Sequence, residues 1–171
     1  MLGRRKDTLP KDVRDALGLG RREQAIAWAR DDTTEAYVVA TTFRIVAVRG
    51  DGTVTTDRPW HLVDAGHWDA DTWTLTASWV DGARAAQWTF KEGENRMPET
   101  FRERVQATVV AVEPLALPGP RRAGRVVLRK DLAAQEVFVQ EVLGRGTPAD
   151  DPEVRARVAQ LREFLQEQAG L

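Results

Sequence analysis

The chain of 171 residues contains no cysteine, which excludes disulfide frameworks, thiolate zinc sites, iron–sulfur ligation and cysteine nucleophiles. Its one serine, Ser78, lies in Ala77-Ser78-Trp79-Val80-Asp81. That context is neither a nucleophile elbow nor a helix start, so a serine hydrolase has no support. Histidine is almost as scarce, with only His61 and His67. With Asp64, Asp69 and Asp71 they have the chemistry of zinc or iron ligands. On one continuous strand, however, six residues at about 3.3 Å each would hold the imidazoles roughly 20 Å apart. Exposed or edge-strand histidines are therefore expected, with no metal and no other cofactor.

Long apolar runs are also missing. The longest candidate is 109–112, against the roughly 18 to 20 residues that a spanning helix needs. Met1-Leu2-Gly3-Arg4-Arg5-Lys6 has the charge of a secretory n-region, but Asp7 and Pro10-Lys11-Asp12 follow where an apolar region would have to be. No Sec signal is expected, and a cytoplasmic location is the default. Nor does charge of one sign accumulate. The net charge is −1, and the sums over 1–60, 61–120 and 121–171 are +2, −4 and +1. Nucleic acid is thus not an expected partner.

What remains is ample material for a core. Leu, Ile, Val and Phe make up 40 of the 171 residues, above the range in which chains fail to offset ordering entropy. Only Lys6, Lys11, Lys91 and Lys130 of the 25 basic residues are lysines, a bias that points to a high-GC genome rather than to an activity.

Leu9, Val13, Ala16 and Leu17 recur at helical spacing, with Pro10 suited to a first turn and Gly18 to a stop. Strands are expected at 24–30, 35–41 and 44–48, and a strand-like stretch at 60–63. Trp73, Leu75, Ala77 and Trp79 alternate with Thr72, Thr74, Thr76 and Ser78, the pattern of a half-buried strand. Asp81-Gly82 turns it into Ala86, Trp88 and Phe90, a hairpin. Phe101, Val105, Val109 and Val112 then predict an amphipathic helix from Pro98 to Val112. Leu117-Pro118-Gly119-Pro120 breaks the chain. Two further strands at 125–129 and 136–143 precede a helix from Pro152, capped by Asp151, with Val154, Val158, Leu161 and Leu165 on one face. That face would be covered within the chain or in a dimer. No internal repeat is expected.

Six strands followed by one helix, together with Val38-Val39-Ala40-Thr41-Thr42-Phe43-Arg44-Ile45-Val46-Ala47-Val48, resemble a bacterial pleckstrin-homology-like domain, in which an apolar strand turns at a threonine and resumes after a basic residue. Trp60-His61-Leu62-Val63-Asp64 is similar to the opening of the next strand in such domains. The arrangement also looks like that of small uncharacterised actinobacterial proteins. The resemblance covers 24–112. It implies an α+β fold, a PH-like antiparallel β-barrel capped by an amphipathic helix and followed by a β-hairpin and helix extension. The expected units are an N-terminal arm at 1–23, the barrel and capping helix at 24–117, and the extension at 118–171. Eukaryotic members bind phosphoinositides through a basic first hairpin, whereas this loop, Asp31-Asp32-Thr33-Thr34, is acidic.

The six tryptophans read mainly as core, with Trp73, Trp79 and Trp88 on the buried side of the pleat and Trp60 or Trp68 as the candidates for exposure. Arg121, Arg122, Arg125, Arg129 and Lys130 form the basic cluster uninterrupted by acid, a candidate contact for an anion or a partner. The expected function is a non-enzymatic interaction module whose protein or peptide partner adds to an open sheet edge beside the capping helix. Two alternatives are a small-ligand barrel with a tryptophan-lined pocket and phosphate or anionic-surface binding through the Arg121 to Lys130 cluster. Peripheral membrane contact and self-association stay open.

Overall fold

The computed structural model describes residues 8–91 and 95–171; the basic start at 1–6 lies outside them. Helix α1 (Lys11–Leu17) ends at Gly18, whose φ of 53° provides the left-handed cap expected of a glycine stop. Strands β1 (Ala25–Arg30), β2 (Tyr37–Thr41), β3 (Arg44–Val48) and β4 (Val54–Pro59) form a first antiparallel sheet in sequence order. A second is built from β5 (Val63–Asp69), β6 (Thr74–Trp79) and β7 (Ala86–Thr89). Helix α2 (Met97–Ala107) follows, and then β8 (Val109–Pro114), β9 (Gly124–Lys130) and β10 (Val137–Leu143) make a third sheet with β9 central. Helix α3 (Pro152–Ala169) ends the chain. The architecture is α+β with three antiparallel sheets, and no closed barrel is found among the described residues.

Two sheets and α2 enclose the main core, in which Val38, Ala40, Ile45 and Ala47 meet Leu75, Ala77, Trp79, Trp88 and Phe90, with Met97 and Phe101 from α2. The other side of the first sheet is covered by α1, whose Leu9, Val13 and Leu17 pack on Val39, Val46 and Val48. Double coverage explains why β2 and β3 read as unbroken apolar runs while β6, wet on one side, alternates. The third sheet packs Val126 and Leu128 against Val154, Val158, Leu161 and Leu165. The stripe of α3 is therefore covered within the chain. Asp151 caps α3, accepting from the amides of Glu153 and Val154.

Several sequence expectations need correction. The helix predicted to Val112 stops at Ala107, and 109–114 is strand, with Val112 opposite Val127. Valine at helical spacing suited both states, and its branched Cβ with an available β9 edge favoured the strand. The third sheet thus takes a strand from ahead of the Pro-rich break. The stretch at 60–63 is a 3-10 turn over Trp60–Leu62 rather than a strand start, and β4 was not anticipated.

One turn recurs three times, although the sequence shows no repeat. Asp31, Asp69 and Asp131 are each followed four residues later by a left-handed residue: Glu35 at 59°, Trp73 at 56° and Gln135 at 61°. Each carboxylate accepts amides two or three residues on: Thr34 for Asp31, Asp71 and Thr72 for Asp69, Ala133 and Ala134 for Asp131. Aspartate is short enough to bond its own turn. Apart from the aspartate no position is shared by all three loops, and only Thr34 and Thr72 coincide in two, so periodicity could not reveal the device.

The Thr41 to Arg44 corner is structural. Thr41 Oγ1 accepts the amides of Phe43 and Arg44 at 3.2 and 3.0 Å. The Arg44 guanidinium donates to Glu23 at 2.8 Å, Asp57 at 2.6 Å and the Leu17 carbonyl at 2.5 Å, joining α1, the segment leading into β1, and β4. Burial pushes the Glu23 carboxyl up, but hydrogen bonds from Arg44 and Thr41 outweigh it and hold the group below its ordinary range.

Candidate docking groove

Strand β5 is one edge of the second sheet, paired only with β6. Its inward side carries Val63, Gly66 and Trp68, opposite Trp79, Ala77 and Leu75. Helix α2 lies against this side. Asn95 Oδ1 accepts the Met97 amide at 2.8 Å, and Pro98 in the first turn needs no amide partner. Helical spacing then sets Phe101 and Val105 in one row and Pro98, Arg102 and Gln106 in the next.

Gly66 explains how closely strand and helix approach. A Cβ there would stand 2.2 Å from Phe101 Cε1 and 2.9 Å from Cδ1, so the ring rests on bare backbone. The same ring meets Trp60 edge-on, with centroids 5.5 Å apart and planes at 86°.

Beside this contact is a cavity of about 210 Å³ lined by Gly66, Trp68, Leu75, Pro98, Phe101, Arg102, Val105 and Gln106. Its walls are apolar apart from Arg102 and Gln106. The volume lies below the roughly 300 to 1,000 Å³ of small-molecule pockets, and matches one inserted side chain better than a cofactor. Ala65, Gly66 and His67 are exposed on β5. Beyond Asp64, the main chain of β5 has hydrogen-bond partners only on β6 among the described residues.

The start of β5 is held from the third sheet. Arg129 donates to the Val63 carbonyl at 2.9 Å, to Thr108 Oγ1 at 2.6 Å and to Gln140 Oε1 at 3.0 Å. Gln140 donates to the His61 carbonyl at 2.9 Å, and Arg125 bonds both the carboxylate and the carbonyl of Asp64. Burial lowers the pKa of Arg129, and the Arg125 charge adds to this.

The predicted site residues are therefore dispersed. Arg129 is 2% exposed and is a structural cation. Arg125 is paired with Asp64, and Arg122 with Asp151 and Glu153. Lys130 is the last residue of β9 and Arg121 lies in the turn before its start, so the length of the strand, about 20 Å, stands between them. Trp60, a candidate for exposure, is 0% exposed, because Pro59 leads it into the 3-10 turn and its indole N–H donates to the Thr41 carbonyl at 2.9 Å. Trp68 is half-buried between Trp73 and Phe90. Trp73, expected inside, is 46% exposed, since its left-handed turn conformation takes it out of the pleat.

A wider cleft of about 900 Å³ runs along β1, with Trp28, Arg30, Asp32, Glu35, Tyr37 and Arg96 in its wall. Its rim includes Thr8 and Asn95, where the described chain begins and resumes. Arg30 is bonded to Glu35 at 2.9 Å. Asp31 accepts from Thr34 and from the Thr89 amide, and Asp32 from the Lys91 amide. The acidic loop thus clamps the first sheet to the end of β7. Each cavity carries a single tryptophan. His61 Nδ1 lies 3.9 Å from Asp131, and no group of three metal-ligating side chains is assembled among the described residues. No helix among them is long and apolar enough to cross a membrane.

The α2–β5 groove was half-legible beforehand, as an open edge beside a helix. Gly66 gave no pattern signal, and Trp68, Leu75, Phe101 and Val105 are scattered over 38 positions. Comparison of the chain with protein-family models, with curated proteins and with solved structures returned no match.

Proposed function

We propose that this protein is a non-enzymatic interaction module of PH-like arrangement that binds an extended segment of a partner protein. The segment adds to the free edge of β5 and inserts one apolar side chain between β5 and α2. A single observation carries the reading: an apolar, side-chain-sized cavity beside an unpaired strand edge. Main-chain hydrogen bonds would supply affinity and the cavity selectivity.

Two perturbations separate these contributions. Val105→Trp fills the cavity, and N-methylation of the peptide amides that face β5 removes the main-chain hydrogen bonds to its edge. Peptides selected on the full chain from a displayed random library should lose binding to Val105→Trp, whose Tm should be retained, and should lose binding to the parent chain once N-methylated. Selected peptides that keep full affinity under both changes would refute the reading. Anionic-surface binding lacks an equivalent support, because three of the five basic residues proposed for it are buried or paired.

A further inference from the structure

The chemistry of the groove narrows the segment it would accept, an inference that rests on the docking reading above. Of the eight lining residues one is charged, Arg102. It is exposed, and no ion pair or hydrogen bond engages its guanidinium among the described residues. The next turn of the same row presents Gln106, a further donor. Among the described residues the nearby acids are otherwise occupied or directed elsewhere. Asp64 is paired with Arg125, Asp69 accepts the amides of its own turn, and Glu99 and Glu103 do not line the cavity.

We propose that the docked segment carries an aspartate or glutamate two residues from its apolar anchor, and that Arg102 reads it. On an added strand, side chains facing α2 recur at i and i+2, about 6.8 Å apart. The cavity and the Arg102 row are adjacent on one helix face, so an anchor in the cavity brings its i+2 or i−2 neighbour toward the guanidinium. A carboxylate is the planar acceptor that arginine engages with two parallel bonds. A lysine at that position would meet a like charge.

The test uses the full chain and a synthetic set of nine-residue extended peptides. Each has one leucine or phenylalanine anchor, and glutamate, glutamine or lysine at the flanking i±2 positions. Anisotropy titrations should show glutamate peptides binding about three- to fivefold more tightly than their glutamine counterparts, the range of an exposed ion pair. The gap to the lysine peptides should be larger, and both should shrink with added salt. In Arg102→Gln the preference should vanish while dependence on the anchor persists, and in Arg102→Glu it should reverse toward lysine.

Equal binding of all three peptide types, with Val105→Trp still abolishing it, would overturn the acid preference and leave strand docking standing. A glutamate preference that survives Arg102→Gln would also overturn the assignment. Anchor-independent binding, or none, would remove the docking reading and this inference together.

Discussion

Replacing Gly66 by alanine isolates the contact on which the groove depends. The backbone at Gly66 has no left-handed φ, so by itself the change would stabilise the protein by about 0.4 to 1 kcal/mol through the unfolded chain. The new methyl would stand 2.2 Å from Phe101 Cε1 where ordinary contact begins at 3.4 Å. The ring would have to withdraw about 1.2 Å, and it has little room. Phe101 is 2% exposed and set edge-on against Trp60. Overpacking of this kind costs about 1 to 3 kcal/mol. A displacement of that size belongs in the upper half of the range, about 2 to 3 kcal/mol, so the net loss after the unfolded-chain gain is about 1 to 2.6 kcal/mol. At about 2 to 4 °C per kcal/mol for a domain of this size, Tm should fall by roughly 2 to 10 °C. Urea and thermal unfolding followed by tryptophan emission measure both quantities. Phe101→Leu should itself destabilise by about 1 kcal/mol, but it removes the offending ring edge. Gly66→Ala placed on it should then be neutral or slightly stabilising, a coupling of at least about 1 kcal/mol. A neutral single variant, or strict additivity in the double, would refute the close approach of α2 to β5.

Two further outcomes are expected. Arg129→Met keeps an unbranched apolar stem but leaves the Val63 carbonyl, Thr108 and Gln140 without their donor. It should cost about 2 to 4 kcal/mol in urea unfolding, and a change near zero would show that the third sheet does not depend on this cation. His61 is half-buried against Phe138; burial lowers its pKa from 6.5, Asp131 partly opposes this, and Arg129 adds to the lowering. The unfolded imidazole therefore takes up its proton at higher pH than the folded one. The stability held at pH 7 should decline as pH falls through 6.5 and level off below the folded value. His61→Gln should flatten that part of the Tm profile between pH 5 and 8, and an unchanged profile would exclude His61 as its source.

Local physics was legible in the sequence wherever one residue type decides a conformation. Gly18 ended α1, Asp81-Gly82 turned β6 into β7, and Asp151 with Pro152 opened α3. The alternation of Leu75, Ala77 and Trp79 showed which face was wet, because a half-exposed strand must alternate. Where two conformations suited the same residues, the neighbours decided. Val109 and Val112 satisfied a helical spacing, and only the presence of β9 made them strand. Trp60 and Trp73 exchanged their expected environments, since exposure depends on whether a turn carries the side chain into or out of the pleat.

The basic run from Arg121 to Lys130 shows the same limit in electrostatics. Counting charges along the chain makes it a patch, but alternate residues of a strand face opposite ways, and β9 turned Arg125 and Arg129 inward onto Asp64 and Val63. The groove depends on tertiary structure in the same way. Composition and pattern determined that there would be antiparallel strands, amphipathic helices and an apolar core. That Phe101 could settle on Gly66 and leave an opening beside Trp68 followed only from packing, because a missing side chain becomes a contact surface only once another element occupies its space.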